Sequence, residues 1–157
     1  MRSAVLSSAV IGSLLLSACG GDGNTEPNPT YHSIAGSYAG EMAGISQGVT
    51  MNADFTLTVN QTQGNLSGTY AMVGTLSEPG TVVDVAGTGV ISGTVATGDN
   101  PNLSVSFEPA HCPSQTAQFS GAYDSTNRRI TINGPVRIFN DACVVVLTYP
   151  MTIVLTR

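Results

Sequence analysis

The chain has 157 residues, a formal net charge of −5 and no tryptophan, and only 10% of its residues are charged. All its basic residues are arginines scattered along the chain, so it lacks the basic stripe that a nucleic-acid backbone requires, and no nucleic-acid partner is expected. The length suits a single domain, and abundant Gly, Ser, Thr and Asn beside few helix formers favour strands and turns.

Residues 1–18 have the organisation of a signal peptide. Met1-Arg2 provides a positive start, and the apolar run from Ala4 to Leu16 is too short to span a bilayer of about 30 Å as a helix. The run ends in Leu16-Ser17-Ala18-Cys19, which resembles the lipobox of bacterial lipoproteins. The resemblance implies cleavage before Cys19, a diacylglyceryl group on its thiol and a third acyl chain, such as palmitate, on its new amino group. The alternative is an ordinary secretory signal with a cysteine there by chance.

The residues after Cys19 bear on location. Gly20 stands where an aspartate would retain a lipoprotein in the inner membrane of Gram-negative bacteria. The resemblance therefore implies an outer-membrane anchor through the lipid on Cys19, with the domain facing the periplasm or the cell surface. Three acyl chains hold a protein to a bilayer almost permanently. Residues 19–33 are polar and contain Pro27 and Pro29, which is typical of a flexible linker. Residues 34–157 are the predicted domain, which is expected to fold without residues 1–33.

Within that domain the apolar residues recur with a period of two, which is typical of strands. Phe55, Leu57 and Val59, for example, alternate with threonine and asparagine. Runs of Gly, Pro, Asn and Asp separate the apolar segments. The predicted strands lie near residues 34–43, 50–61, 64–76, 81–96, 102–108, 115–124, 128–138 and 143–157.

Short connections between these strands predict an all-β, antiparallel up-and-down meander. Glycines recur inside the predicted strands, where glycine usually marks a bulge or sharp coiling, and such points help a sheet curl shut. They are Gly68, Gly87, Gly89, Gly93 and Gly121. The pattern predicts an eight-stranded barrel. A two-sheet β-sandwich is the alternative.

Two segments resemble known barrels. Gly36-Ser37-Tyr38-Ala39-Gly40 is similar to the Gly-x-Trp opening of lipocalin-like and avidin-like barrels, with Tyr38 in place of the tryptophan. The segment from Gly64 to Tyr70 resembles an avidin-type second hairpin. The resemblance implies a small barrel, without the tryptophans that line a biotin-type pocket. The last strand, ending in Leu-Thr-Arg157, resembles those of uncharacterised envelope lipoproteins.

If lipid occupies Cys19, the remaining cysteines, Cys112 and Cys143, form an even pair in an oxidising compartment. A disulfide between them would stabilise the domain by about 3–4 kcal/mol. The alternatives are two free thiols, or a metal pair with His111. A closed zinc site would need further ligands, so no metal or cofactor is expected.

No catalytic motif is evident, and the protein is expected not to be an enzyme. Catalysis would have to be built on His111, because His32 lies in the predicted linker. Ser114 and Asp141 could lie nearby, but the local sequence does not resemble a nucleophile elbow. Asp84 is expected to face outward, and Arg128-Arg129 is typical of a solvated turn.

Two classes of function remain: a non-enzymatic interaction or structural module of the envelope, with an unknown protein partner, and a lipocalin-like carrier of a small ligand. A third possibility is a lysozyme inhibitor, since Ser67–Tyr70 and Ser120–Tyr123 resemble the Ser-Gly-x-x-Tyr loop of membrane-bound lysozyme inhibitors. The barrel interior discriminates between these functions, because an empty cavity favours a small ligand and a filled core favours recognition through the outer face or the loops. It is expected to be largely filled, with these residues facing inward: Leu57, Val59, Leu66, Tyr70, Val83, Val85, Phe119 and Ile132.

Overall fold

A computed structural model describes residues 28–157. The predicted signal peptide, Cys19 and most of the predicted linker lie outside these residues. The strands are β1 (Gly36–Ser46), β2 (Val49–Thr62), β3 (Asn65–Glu78), β4 (Thr81–Val95), β5 (Asn102–Pro109), β6 (Ala117–Asp124), β7 (Arg129–Phe139) and β8 (Val145–Thr156). Each pairs with the next, and β8 returns to β1 to close a barrel. The predicted eight-stranded antiparallel meander is thus confirmed, and the two-sheet sandwich is excluded.

The interior is formed by alternate residues of every strand. In β2 the side chains of Met51, Phe55, Leu57 and Val59 are buried while their neighbours face solvent. No buried residue within 28–157 is polar or charged. Of the residues predicted to face inward, Val83 is 52% exposed, because β4 extends beyond the rim of the barrel at that point. No helix among the described residues is long and apolar enough to cross a membrane.

The strand glycines permit close approach between strands. A Cβ on Gly93 would overlap the carbonyl oxygen of Ser104, and one on Gly121 would overlap that of Thr131. The registers on both sides of these glycines run without a shift, so they mark tight coiling and not bulges. Within the described residues, the shift lies elsewhere, between Ile138 and Phe139.

One end of the barrel, here called the closed end, is sealed by the segment before β1. Tyr31 forms a parallel bridge with Gly98 in the β4–β5 loop. Ile34 is fully buried, and its backbone N–H donates to Oε1 of Gln61 over 2.8 Å. The Tyr38 hydroxyl donates to the Ile34 carbonyl over 2.7 Å. These contacts fix the segment across the closed end of the barrel.

Tyr123 lies between this segment and the core. Its ring is 5.4 Å from that of His32 and 6.5 Å from that of Tyr38, between centroids. Tyr31 also packs against the core. Tyr31 and His32 therefore contact the barrel, although the sequence places them in the linker.

The opposite end, here called the open end, is formed by the connections at residues 47–48, 79–80, 110–116 and 140–144. Several large apolar side chains are exposed there, in a rim around the barrel mouth that consists of Ile45, Val82, Val83, Val144, Val145 and Val146. Exposed apolar clusters mark contact surfaces for ligands, proteins or membranes more often than isolated apolar residues do.

Candidate functional site

A cavity of about 270 Å³ occupies the barrel interior at the open end. Its floor is an aromatic cluster formed by Phe55, Tyr70, Phe107 and Phe119. Phe107 lies at its centre, with ring centroids 5.2 Å from Tyr70 and 4.7 Å from Phe119, both edge to face. Phe55 and Tyr70 stack at 5.7 Å. Such a cluster offers an apolar surface of fixed geometry.

The wall of the cavity contains few bulky side chains on the β4 side. Gly87 points inward, and a Cβ placed there would contact only the Cε of Met72, at 3.6 Å. Ala117 faces the same space from β6. The small residues leave the volume that a closed core would have filled. The expected filled barrel is therefore found only towards the closed end, and the open end is hollow.

Apart from Tyr70, the polar side chains that line the cavity belong to outward-facing strand residues or to the β5–β6 loop at its edge. They are Asp84, His111, Gln115 and Arg137. One guanidinium N–H of Arg137 donates to the Thr116 carbonyl over 3.2 Å. Burial raises the pKa of the Tyr70 hydroxyl, so Tyr70 is a neutral hydrogen-bonding group at neutral pH. The site combines an apolar interior with a polar edge, which is the common pattern of ligand pockets.

The barrel wall is incomplete beside this cavity because β5 and β6 are shorter than their neighbours. Pairing of β4 with β5 begins at Gly89, so among the described strands the stretch from Thr81 to Gly87 is paired only with β3. Pairing of β6 with β7 ends at Asn133, and within residues 28–157 the stretch from Gly134 to Phe139 is paired only with β8. A gap therefore separates β4 from β7 on the open-end side of the β5–β6 hairpin.

The β5–β6 loop covers the β7 side of this gap. The expected disulfide between Cys112 and Cys143 is present and joins the loop to the β7–β8 turn. The His111 ring contacts that of Phe139, with 6.0 Å between centroids, and Arg137 binds the loop at Thr116. All these contacts draw the loop towards β7. The free edge of β4 is left as the open side.

The candidate catalytic residues are not assembled into a reactive set. His111 lies at the cavity edge, but no hydrogen bond joins it to Ser114 or Asp141 within residues 28–157. Asp84 faces outward as expected, at the cavity edge. Arg129 forms an exposed ion pair with Asp124 at 3.5 Å in the β6–β7 turn. No group of three or more His, Cys, Asp or Glu residues that could hold a metal ion occurs in the described part of the chain.

The segments that resemble an inhibitory loop lie inside strands. Ser67–Tyr70 belongs to β3 and Ser120–Tyr123 to β6. Tyr70 contributes to the cavity floor, whereas Tyr123 seals the closed end. A protruding loop therefore does not present either motif.

The sequence did not predict which residues form the site. The aromatic cluster comes from separate strands, and its members look like ordinary core residues in the sequence. The sequence pattern indicates that Gly87 serves strand coiling, whereas in the structure it contributes free volume. Tyr149 is another unexpected feature: it is fully buried, its hydroxyl has no hydrogen-bond partner among the described residues, and burial raises its pKa.

No family model, curated protein or solved structure matches this chain. The candidate site therefore rests on the geometry of the barrel itself.

Proposed function

We propose that this protein is an exported, lipid-anchored and non-enzymatic binding module that holds a small apolar group in the cavity at its open end. The observation that carries the proposal is the aromatic-lined cavity of about 270 Å³ beside a polar edge. A carrier of a small free ligand and a module that binds a group on a larger partner both fit this description.

The volume limits the size of that group. An apolar cavity of roughly 150 Å³ accepts benzene, so 270 Å³ accommodates about ten to twelve heavy atoms. A fused pair of rings or one large apolar side chain fits this space. A tetrapyrrole or a complete long acyl chain would have to extend outside the barrel.

The lipoprotein assignment is supported by Leu16-Ser17-Ala18-Cys19 and is compatible with the disulfide, because disulfides persist in oxidising compartments. An outer-membrane location follows from Gly20 in the same pattern. The absence of a reactive set around His111 within the described residues favours binding over catalysis.

A fluorescent probe of suitable size tests the proposal. We expect 1-aminonaphthalene to bind the purified protein and its emission to shift to shorter wavelength, because the cavity excludes water. Replacement of Gly87 by Leu should abolish the shift, because the new side chain would fill the space next to Met72. Thr88→Leu is the matched control, since this substitution places a leucine side chain on the outer face of β4.

Binding of the probe to any lipid on Cys19 would be the same in both variants and would cancel in the comparison. Thermal unfolding of each variant checks that the barrel still folds. Equal probe binding by Gly87→Leu and Thr88→Leu, with both folded, would contradict the proposal.

A further inference from the structure

The free edge of β4 and the cavity beside it together define a partner more closely than either does alone. We infer that the open end binds an extended peptide segment, which adds as a strand to residues 81–87 and places a large apolar side chain in the cavity. This inference rests on the proposed function and names the source of the apolar group.

On this side the backbone of β4 presents hydrogen-bonding groups that no strand among residues 28–157 pairs with. Glu78 pairs with Thr81 across the two-residue turn, and in an antiparallel pair the N–H and C=O groups of successive residues point alternately to the two sides. Val82, Asp84 and Ala86 therefore direct theirs into the gap. The same alternation places the Thr88 carbonyl on this side, where it accepts from the Ala110 N–H over 2.8 Å.

The two edges that border the gap differ in their protection. The β7 edge carries Pro135, which has no N–H, an arginine that reaches across to the β5–β6 loop, and a register shift after Ile138. Proline, charge and irregular register are devices that block strand addition. The β4 edge has the sequence Thr-Val-Val-Asp-Val-Ala-Gly, which is rich in β-branched residues and contains no such device apart from the charge of Asp84.

A strand on this edge would meet the cavity in register. Val83, Val85 and Gly87 face the barrel interior, and Val85 and Gly87 line the cavity. A residue opposite them would point the same way, because paired residues share a face. The volume suits one large side chain, and a free edge beside a side-chain pocket is the arrangement by which sheets recognise extended peptides.

Charge further restricts the partner. Asp84 faces outward at the centre of the edge, so a basic residue opposite it on the added strand would be favoured and an acidic one disfavoured. A second copy of this chain does not meet these requirements. Two β4 edges paired about Asp84 would oppose two aspartates, and their inward residues are valine and glycine, which leave the cavities unfilled.

The probe is the blocked peptide acetyl-Ser-Thr-Phe-Lys-Phe-Thr-Ser-amide, whose central lysine is designed to face Asp84 and whose phenylalanines face inward. We expect it to bind the purified protein and to displace 1-aminonaphthalene. Exchange of lysine for glutamate should weaken binding by about three- to tenfold.

Methylation of single peptide nitrogens provides the matched comparison. A methyl on the lysine nitrogen removes a donor directed at β4 and should weaken binding about tenfold or more. A methyl on the following phenylalanine nitrogen, which points away from β4, should have a much smaller effect. On the protein side, Ala86→Pro removes a gap-facing N–H without breaking a bond to β3. Because Ala86 also borders the cavity, the variant should weaken peptide binding much more strongly than naphthalene binding.

The outcomes separate the two proposals. If the naphthalene binds the cavity and the peptide does not, the strand-addition inference is wrong and the small-ligand carrier remains. If both methylated peptides bind equally well, strand addition is wrong. If neither probe binds and the protein is folded, both proposals fail. Should Ala86→Pro not fold, the methylated peptides still test the inference on the unmodified protein.

Discussion

Tyr38 links the segment before β1 to the barrel through one hydrogen bond. Burial, followed by the neighbouring Tyr123, raises the pKa of the Tyr38 hydroxyl from 10.0 to about 12, with Arg157 acting in the opposite direction. The folded state therefore keeps a proton that the unfolded chain releases. The stabilisation that this provides is complete below pH 10 and is lost as pH rises through about 12.

Replacement of Tyr38 by Phe tests this account. The Ile34 carbonyl would lose its donor, so the free energy of unfolding should fall by about 1 kcal/mol at pH 8. Because Phe does not titrate, the variant should lose less stability between pH 10 and 12 than the parent protein, by up to about 2–3 kcal/mol. Urea unfolding at several pH values measures both effects. Parallel decline of the two proteins above pH 10 would show that Tyr38 does not titrate as described.

Single residues were predictable from sequence where alternation alone decides their position. Leu57, Phe119 and Ile132 are buried as expected, because a period of two assigns each to one face. Alternation does not say how far along the barrel axis a residue lies. Val83 has the inward phase but stands at the rim, and Gly87 has the inward phase but contributes empty space. Both depend on the relative lengths of neighbouring strands.

At the scale of elements, the disulfide sets the position of the β5–β6 loop. It spans 31 residues of sequence and draws the loop towards β7. Replacement of Cys112 and Cys143 by Ala should lower the free energy of unfolding by about 3–4 kcal/mol. Amide hydrogen exchange at residues 110–116 should also accelerate, because the loop would then be held to β7 only by weaker side-chain contacts, from Arg137 to Thr116 and from His111 to Phe139 among the described residues.

The variant Arg137→Gln serves as the comparison for the disulfide variant. It removes a single exposed hydrogen bond, so its effect on stability and on exchange in the loop should be much smaller. Unchanged exchange at residues 110–116 without the disulfide would mean that other contacts position the loop. Naphthalene binding, measured in parallel, reports whether the loop position also shapes the cavity.

The eight strands could be predicted closely because turn residues punctuate a regular alternation. The gap between β4 and β7 could not, although both short strands were placed correctly. Predicting the gap requires the register of each strand pair. Only the pairing shows that β4 continues past Pro109 and that β7 continues past its partner in β6. Local sequence carries little information on such long-range register, and the candidate site lies at this gap.

For the whole molecule, the two ends of the barrel differ in structure. The segment through Tyr31 and Ile34 enters at the closed end, and the cavity and apolar rim lie at the open end. The 15 residues of β4, at about 3.3 Å each and tilted by about 40°, separate the ends by roughly 35–40 Å. An anchor at Cys19 would therefore hold the closed end nearer the membrane and leave the cavity accessible.

Membrane association and orientation can be tested on the full chain. Cys19→Ser should abolish acylation, and intact mass should show no lipid.

In the acylated protein, a fluorophore on Thr126→Cys at the closed end should be quenched by lipids with a nitroxide headgroup more strongly than one on Glu78→Cys at the open end. Both positions are exposed, Thr126 in the β6–β7 turn and Glu78 at the end of β3, so labelling should not disturb the core. Equal quenching would indicate that the barrel lies on its side and would contradict the expected orientation. Stronger quenching at Glu78→Cys would place the apolar rim in contact with the membrane and leave the cavity inaccessible to a peptide in solution.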